Sequence, residues 1–151
     1  MDRILKLTNH DSIFLKKTIG HQYPPPKILA VDDDEDNLLL LISILDGLNY
    51  KSLTAKNGKT ALFLAQTEQP DLILLDIVLP DINGWDVIAQ LRRNPVTEKI
   101  PIVAVTALVS PKSKEKVKAE GGNDFIRKPY MIDHIESIIN YHLVQSVSTS
   151  D

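Results

Sequence analysis

The sequence KILAVDDDEDN, residues 27–37, determines the fold class more than any other part of the chain. Residues 28–31 are continuously apolar, which predicts a strand covered on both faces, as in a parallel sheet. The run LILL, residues 72–75, has the same character and ends in Asp76. Two strands of this kind favour an α/β domain in which helices cover both faces of the sheet.

The rest of the chain alternates short apolar runs with longer segments of helical period. In these longer segments apolar residues recur at i, i+3, i+4 and i+7, which predicts amphipathic helices. The predicted strands are 27–32, 51–55, 72–76, 102–106 and 124–127. Strict alternation with right-handed crossovers predicts a doubly wound α/β domain, a five-stranded parallel sheet flanked by five helices. In such a fold the functional site lies beyond the carboxyl ends of the strands.

One predicted helix differs from the others because it contains four lysines and few apolar residues. Ser110 and Pro111 suit its N-cap and first turn, and Gly121 suits its end. Val117 and Ala119 are the main apolar residues between these limits. We therefore expect this helix to be weakly anchored.

Length and composition narrow the function classes. A chain of 151 residues, 43% hydrophobic and 25% charged, fits one compact domain with a terminal appendage. The chain has no cysteine, which excludes disulfide scaffolds, thiolate zinc sites and cysteine catalysis. A net charge of -3 argues against direct nucleic-acid binding. No apolar run approaches the roughly 20 residues of a membrane span, so we expect no membrane association and a cytoplasmic location.

Three consecutive prolines, residues 24–26, predict a boundary, because proline donates no backbone hydrogen bond and favours an extended spacer. We expect residues 1–26 to be an N-terminal extension, disordered or loosely docked, with a Pro-rich linker. Residues 27–144 form the predicted domain, and residues 145–151 a flexible tail. Because this tail is too short for an effector domain, we expect a stand-alone domain that acts through partners. A piece of a longer protein remains the alternative.

Polar side chains follow the predicted strands at the edge where the carboxyl ends meet. Asp32 and Asp33 end the first strand, and Asp76 ends the third, which would lie beside it. Three carboxylates at one edge form an oxygen-rich site that suits Mg²⁺. Thr106 and Lys128 follow the fourth and fifth strands and add a hydroxyl and an ammonium group. Together these groups supply what phosphoryl transfer requires: a metal, a nucleophile and two partners for phosphate oxygens.

The sequences KILAVDDDEDN, LILLDIVLPDINGWDV, PIVAVTAL and DFIRKPY, in this order and spacing, resemble the receiver domain of two-component response regulators. The resemblance covers residues 27 to about 144. It implies a CheY-like, flavodoxin-like sheet with strand order 2-1-3-4-5. It also implies a signalling switch rather than a turnover enzyme. A histidine kinase or phosphotransfer protein would phosphorylate this switch with the help of Mg²⁺ or Mn²⁺, and the phosphorylated form would act on a downstream protein target.

The resemblance assigns a role to each acid of the site. Asp76 would be the phosphoacceptor. Asp33 would ligate the metal directly, and Asp32 would act in or near the metal shell. Asp76 and the backbone carbonyl of Val78 would complete the metal ligands.

The resemblance also assigns the phosphoryl-binding and switch residues. Thr106 would bind a phosphoryl oxygen, and Lys128, aimed by a cis bond before Pro129, would pair with the phosphoryl group. Phe125 matches the aromatic switch position that responds with Thr106, although a core phenylalanine is an equally good interpretation. Similar receivers often dimerise through the last helix, and a homodimer stays open for this chain.

Two alternatives share parts of this chemistry. A receiver-like interaction module that is never phosphorylated would typically lack the acceptor Asp, the metal-side acid or the Lys, whereas this chain has all three. A phosphohydrolase of the haloacid-dehalogenase type needs a second acid two residues after its nucleophile, where this chain has Val78. Val78 and Leu108 are apolar positions expected to flank the phosphoryl group. Because neither can orient an attacking water, we expect slow self-hydrolysis.

Overall fold

A computed structural model describes residues 24–107 and 110–149, the last three of these as backbone only. The expectations for residues 1–23 and for Leu108 lie outside the described residues. The strands are β1 (Lys27–Val31), β2 (Lys51–Ala55), β3 (Leu72–Asp76), β4 (Ile102–Thr106) and β5 (Asp124–Arg127). The helices are α1 (Glu35–Gly47), α2 (Gly58–Glu68), α3 (Gly84–Arg93), α4 (Pro111–Ala119) and α5 (Ile132–Thr149).

The five strands form one parallel sheet in the order β2-β1-β3-β4-β5, which confirms the predicted topology. Val31 of β1 pairs with Leu75 of β3, so Asp32 and Asp76 leave the sheet side by side. Strand β1 ends at Val31, one residue earlier than predicted. The backbone N–H of Asp32 nevertheless still donates to the carbonyl of Ala55, at 3.1 Å.

Both faces of the sheet are covered, as the continuous apolar runs predict. Side chains of successive strand residues alternate between the faces. Ile28 and Leu72 lie in a cluster with residues of α1 and α5. Leu29 and Ile73 lie in a second cluster with residues of α2, α3 and α4. The strand ends are thus supported by packing on both faces of the sheet, which is what a site built from several strands requires.

Helix α4 has the caps that the sequence predicts and a small buried face. Ser110 accepts a hydrogen bond from the N–H of Ser113, and Pro111 lies in the first turn. Within α4, all of which the structure describes, Val117 is the buried residue. Lys116 places its ammonium 4.9 Å from the ring centroid of Trp85 on α3, a cation–π contact. These few contacts agree with the expected weak anchoring.

The segment after α4 is held more firmly, by the half-buried guanidinium of Arg92. It donates to the carbonyl oxygens of Glu98, Ile100 and Gly121 at 2.9, 2.8 and 2.8 Å, and to the side chain of Asn123 at 2.8 Å. Arg92 therefore ties the end of α3 to the turn that leads into β5.

Helix α5 differs from the sequence expectation at its end. It continues to Thr149, so residues 145–149 of the predicted flexible tail are helical. The physical reason is that no glycine or proline follows Pro129 in the chain, so nothing interrupts the helix.

Among the residues that the structure describes, none of the helices combines the length and the apolar character of a membrane span.

Candidate functional site

Three carboxylates meet at the carboxyl edge of the sheet. Asp32 is 1% exposed and follows β1, Asp76 is 6% exposed and ends β3, and Asp33 is exposed. Each of the three offers an oxygen within 4.8 Å of those of the other two. They converge because β1 and β3 are parallel neighbours whose last residues lie in register. The structure thus brings together the three acids that the sequence singled out.

Asp32 is the most heavily hydrogen-bonded of the three acids. Its Oδ1 accepts from the backbone N–H of Asp34, at 2.9 Å. Its Oδ2 accepts from the Lys128 ammonium at 2.8 Å, the Asn37 amide at 3.2 Å and the Tyr130 hydroxyl at 3.4 Å. This set of donors keeps a buried carboxylate in one orientation.

Asp76 is held by one charged and one backbone donor. Its Oδ2 lies 2.9 Å from the Lys128 ammonium, and its Oδ1 accepts from the N–H of Val78 at 3.0 Å. Burial raises the pKa of Asp76 above its usual range, although both hydrogen bonds act against this shift. The carboxyl is therefore partly stripped of water but still balanced by a positive charge.

Lys128 links the two buried acids. Burial on its own lowers the pKa of the Lys128 ammonium, but the hydrogen bonds to Asp32 and Asp76 outweigh this effect, and the pKa is raised. The ammonium therefore stays charged between two carboxylates. The Lys128–Pro129 peptide bond is cis, and the N–H of Lys128 donates to the carbonyl of Thr106 at 3.0 Å.

The two predicted switch residues lie on the adjacent strands β4 and β5, of which β4 pairs with the strand that ends in Asp76. Thr106 is 3% exposed and ends β4, the strand between β3 and β5. Phe125 lies on β5 beside Ala104 of β4, and its half-buried ring packs against the core on the α4 side of the sheet. The ring of Phe125 thus lies between the sheet and α4, the helix with the smallest buried face.

The loop 77–83 carries Val78 and joins β3 to α3. Val78 is exposed, with 59% of its surface accessible. The N–H of Gly84 donates to the carbonyl of Ile77 at 2.7 Å. A Cβ at residue 84 would lie 2.5 Å from the Cα of Ile77 and 2.9 Å from the carbonyl oxygen of Asp76. Only glycine fits this close backbone approach.

Sequence reasoning missed three residues that contact the site or help to hold its loop. Tyr130 and Asn37 both donate to Asp32. Tyr130 directly follows Lys128 and Pro129, and Asn37 directly follows the acidic residues 32–36, so their positions gave a weak signal of a role at the site. Asp81 accepts from the N–H groups of Gly58 and Lys59, and its sequence context gave none.

The donor set fits a divalent cation. Carboxylate oxygens are the ligands that Mg²⁺ prefers, and it usually takes one or two of them while keeping several waters. The exposure of Asp33 leaves one side of the cluster open to solvent, where water and phosphate oxygens have access.

Comparison with known proteins identifies the family. Residues 28–140 match the family model of the response regulator receiver domain. The chain is 34% identical to the polar-differentiation response regulator DivK of Brucella anthropi over 118 residues, 78% of this chain and 96% of DivK. It is 36% identical to the response regulator PleD of Caulobacter vibrioides over 122 residues, 78% of this chain but 27% of PleD.

A solved structure shows the same likeness. The receiver domain of a sensor histidine kinase from Pseudomonas aeruginosa, determined with a magnesium ion coordinated in its active-site cleft, superposes with a TM-score of 0.74. The two sequences are 26% identical, over 79% of this chain and 98% of that domain. The chain therefore belongs to the response regulator receiver domain family, which confirms the resemblance read from the sequence. Such domains are signalling parts of two-component systems and bind Mg²⁺ at an acidic pocket.

Proposed function

We propose that this protein is a phosphorylation-activated switch that accepts a phosphoryl group on Asp76 from a histidine kinase or phosphotransfer protein. The observation that carries the proposal is the position of the Asp76 carboxylate. It lies at the carboxyl end of the central strand β3, within 4.8 Å of two further acids and 2.9 Å from the Lys128 ammonium. A nucleophile, a cation site and a fixed positive charge in one place are the elements of phosphoryl transfer.

In the proposed reaction an Asp76 oxygen attacks the phosphorus of a phosphohistidine in line with the leaving nitrogen. A P–O bond forms, the P–N bond breaks, and the bonding electrons leave with the imidazole. The attacking carboxyl must be ionised, and Lys128 favours that form against the effect of burial. Most of the rate enhancement then comes from positioning and electrostatics.

Asp32, Asp33, Asp76 and the backbone carbonyl of Val78 are the residues that we propose hold Mg²⁺ or Mn²⁺. The bound cation supplies positive charge that offsets the repulsion between these acids and an incoming phosphoryl group. Mg²⁺ keeps open positions for water and phosphate oxygens, and the open side at Asp33 suits this need.

The proposed switch uses the groups beside Asp76. A phosphorylated aspartate carries additional negative charge and strong acceptor oxygens. Thr106 would bind one of these oxygens and Lys128 another, and Phe125 would move into the space that Thr106 vacates. The single buried residue of α4, Val117, gives this helix little resistance to such a shift. A coupling of about 1–3 kcal/mol is enough for a useful switch.

The signalling unit that we propose comprises residues 27–144, with residues 1–26 as an extension and linker. It would act in the cytoplasm on a downstream protein target through the surface around α4, β5 and α5, without contacting nucleic acid itself. The net charge of -3 supports the last point, since phosphate binding needs a basic surface.

Intact-protein mass spectrometry after incubation with acetyl phosphate and Mg²⁺ tests the proposal. We expect one phosphoryl adduct in the unmodified sequence and none in Asp76→Asn. Complete absence of an adduct would support the interaction module that is never phosphorylated. Repeated turnover of a generic phosphomonoester would support a phosphohydrolase instead.

A further inference from the structure

The loop 77–83 begins directly after Asp76, and hydrogen bonds hold its two ends. The N–H of Val78 donates to Asp76 Oδ1 at 3.0 Å, and the N–H of Gly84 donates to the carbonyl of Ile77 at 2.7 Å. These contacts fix the two ends of the loop. They leave open what holds the stretch between them, residues 79–83, on which the direction of the loop backbone also depends.

Asp81 holds this stretch by binding to a different element, α2. Its Oδ1 accepts from the N–H of Gly58 at 2.7 Å, and its Oδ2 accepts from the N–H of Lys59 at 2.9 Å. Both donors belong to the first turn of α2, whose N–H groups have no partner within the helix. The helix has its own cap in Asn57, which accepts from the N–H of Thr60 at 2.8 Å. Asp81 is thus a second cap, supplied from 23 residues away.

The loop also packs directly on the start of this helix. A Cβ at residue 58 would lie 3.0 Å from the Cβ of Ile82 and 3.3 Å from Asp81 Oδ1. Helix α2 is anchored in the core that it shares with α3, where Ala61 and Ala65 are buried. One exposed carboxylate therefore ties the loop to a helix that is anchored in the core.

From these contacts we infer that Asp81 is a positioning residue for the metal site: by anchoring loop 77–83 to α2, it fixes the direction of the Val78 carbonyl. The inference rests on the proposed function, in which that carbonyl is a metal ligand. Residues that orient a ligand without touching the metal commonly alter metal affinity by about 10- to 100-fold when they are removed. The Asp81 carboxylate is hydrogen-bonded to α2 and not to the three acids, so its effect on a bound cation would pass through the loop alone.

A matched pair of substitutions separates this role from simple helix capping. Asp81→Ala and Asn57→Ala each remove cap hydrogen bonds from the first turn of α2, but only Asp81→Ala releases the loop. The Mg²⁺ dissociation constant is measured by NMR titration of the backbone amides, and the thermal midpoint of each variant is measured in parallel. We expect both variants to lose stability, whereas Asp81→Ala alone binds Mg²⁺ about tenfold more weakly.

Two further readouts keep the test decisive. The amide resonances of Val78 and Gly84 should shift in Asp81→Ala before Mg²⁺ is added, and they should not shift in Asn57→Ala. Asp81→Asn retains one acceptor oxygen, so it should fold readily and bind Mg²⁺ with intermediate affinity. Equal affinity in Asp81→Ala and Asn57→Ala would overturn the inference alone. Failure of the unmodified protein to bind Mg²⁺ would overturn the proposed metal site and this inference with it.

Discussion

Lys128 and Asp76 are 52 residues apart in the sequence, and their side chains meet with 2.9 Å between Nζ and Oδ2. The same ammonium lies 2.8 Å from Oδ2 of Asp32. One lysine therefore balances two buried carboxylates at the edge of the sheet. Because a buried charge without a partner strongly destabilises a fold, Lys128 contributes to stability as well as to the proposed chemistry.

Lys128→Ala should lower the free energy of unfolding by about 3 kcal/mol in the absence of divalent cations, because it leaves Asp32 and Asp76 uncompensated. Mg²⁺ should restore more stability to this variant than it adds to the unmodified protein. A ligand that binds the native state stabilises it, and in the variant the cation would also replace the positive charge that the two acids have lost. Urea unfolding in EDTA and in excess Mg²⁺ measures both effects. Lys112→Ala, at an exposed position of α4, is the control, and equal losses in the two variants would contradict the prediction.

Gly84→Ala should destabilise the protein by about 1–3 kcal/mol, because the added Cβ meets the backbone of Ile77 at 2.5 Å. The clash should also displace the loop after Asp76 and slow phosphorylation by acetyl phosphate. Gly47→Ala is the matched control, since a Cβ there meets nothing within 4 Å. At that helical position alanine should be neutral or stabilising by up to about 1 kcal/mol. Similar losses of stability in the two variants would show that the close approach at Gly84 is unimportant.

Acid should remove the contribution of Asp81 to stability. Partial desolvation raises the pKa of this carboxyl, but hydrogen bonds from the N–H groups of Gly58, Lys59, Ile82 and Asp81 itself lower it to about 2. Because the pKa is lower in the folded than in the unfolded chain, the contribution is complete above about pH 4 and is lost as the pH falls towards 2. Asp81→Asn should therefore be less stable than the unmodified protein at pH 7, and the difference should shrink between pH 4 and 2. Thermal midpoints across this range measure it, and a constant difference would argue against the assignment.

Val78→Asn together with Leu108→Glu should shorten the lifetime of the phosphorylated protein several-fold. Val78 is exposed beside Asp76 and, like Leu108, offers no group that orients an attacking water. A polar pair at these positions supplies one. The decay of the phosphoryl adduct, followed by mass spectrometry after removal of acetyl phosphate, measures the lifetime. An unchanged lifetime would mean that water access, rather than water orientation, limits hydrolysis.

Several features of this domain followed from the sequence because local pattern and global fold agree. The apolar runs at 28–31 and 72–75 require cover on both faces of a sheet, and the structure provides it. Asp32, Asp76 and Lys128 could be grouped in advance because the ends of parallel strands share one edge. The caps of α4 followed from Ser110 and Pro111, whose preferences are local.

Other features depend on contacts that no local pattern encodes. Tyr130 and Asn37 reach Asp32 only because the segment after β5 and the first turn of α1 both approach this carboxylate. Asp81 looked like an ordinary loop residue, since its partners belong to a helix 23 residues earlier. The end of α5 was misjudged because a Ser/Thr-rich composition suggests a flexible tail, although no residue after Pro129 breaks a helix.

The most direct test of the account is to locate the phosphoryl group chemically. Reduction with borohydride converts a phosphorylated aspartate into homoserine, and tandem mass spectrometry of the digested protein then identifies the modified position. After treatment with acetyl phosphate and Mg²⁺, we predict homoserine at position 76, and none there when Mg²⁺ is replaced by EDTA. Homoserine at position 32 or 33 with Asp76 intact would contradict it.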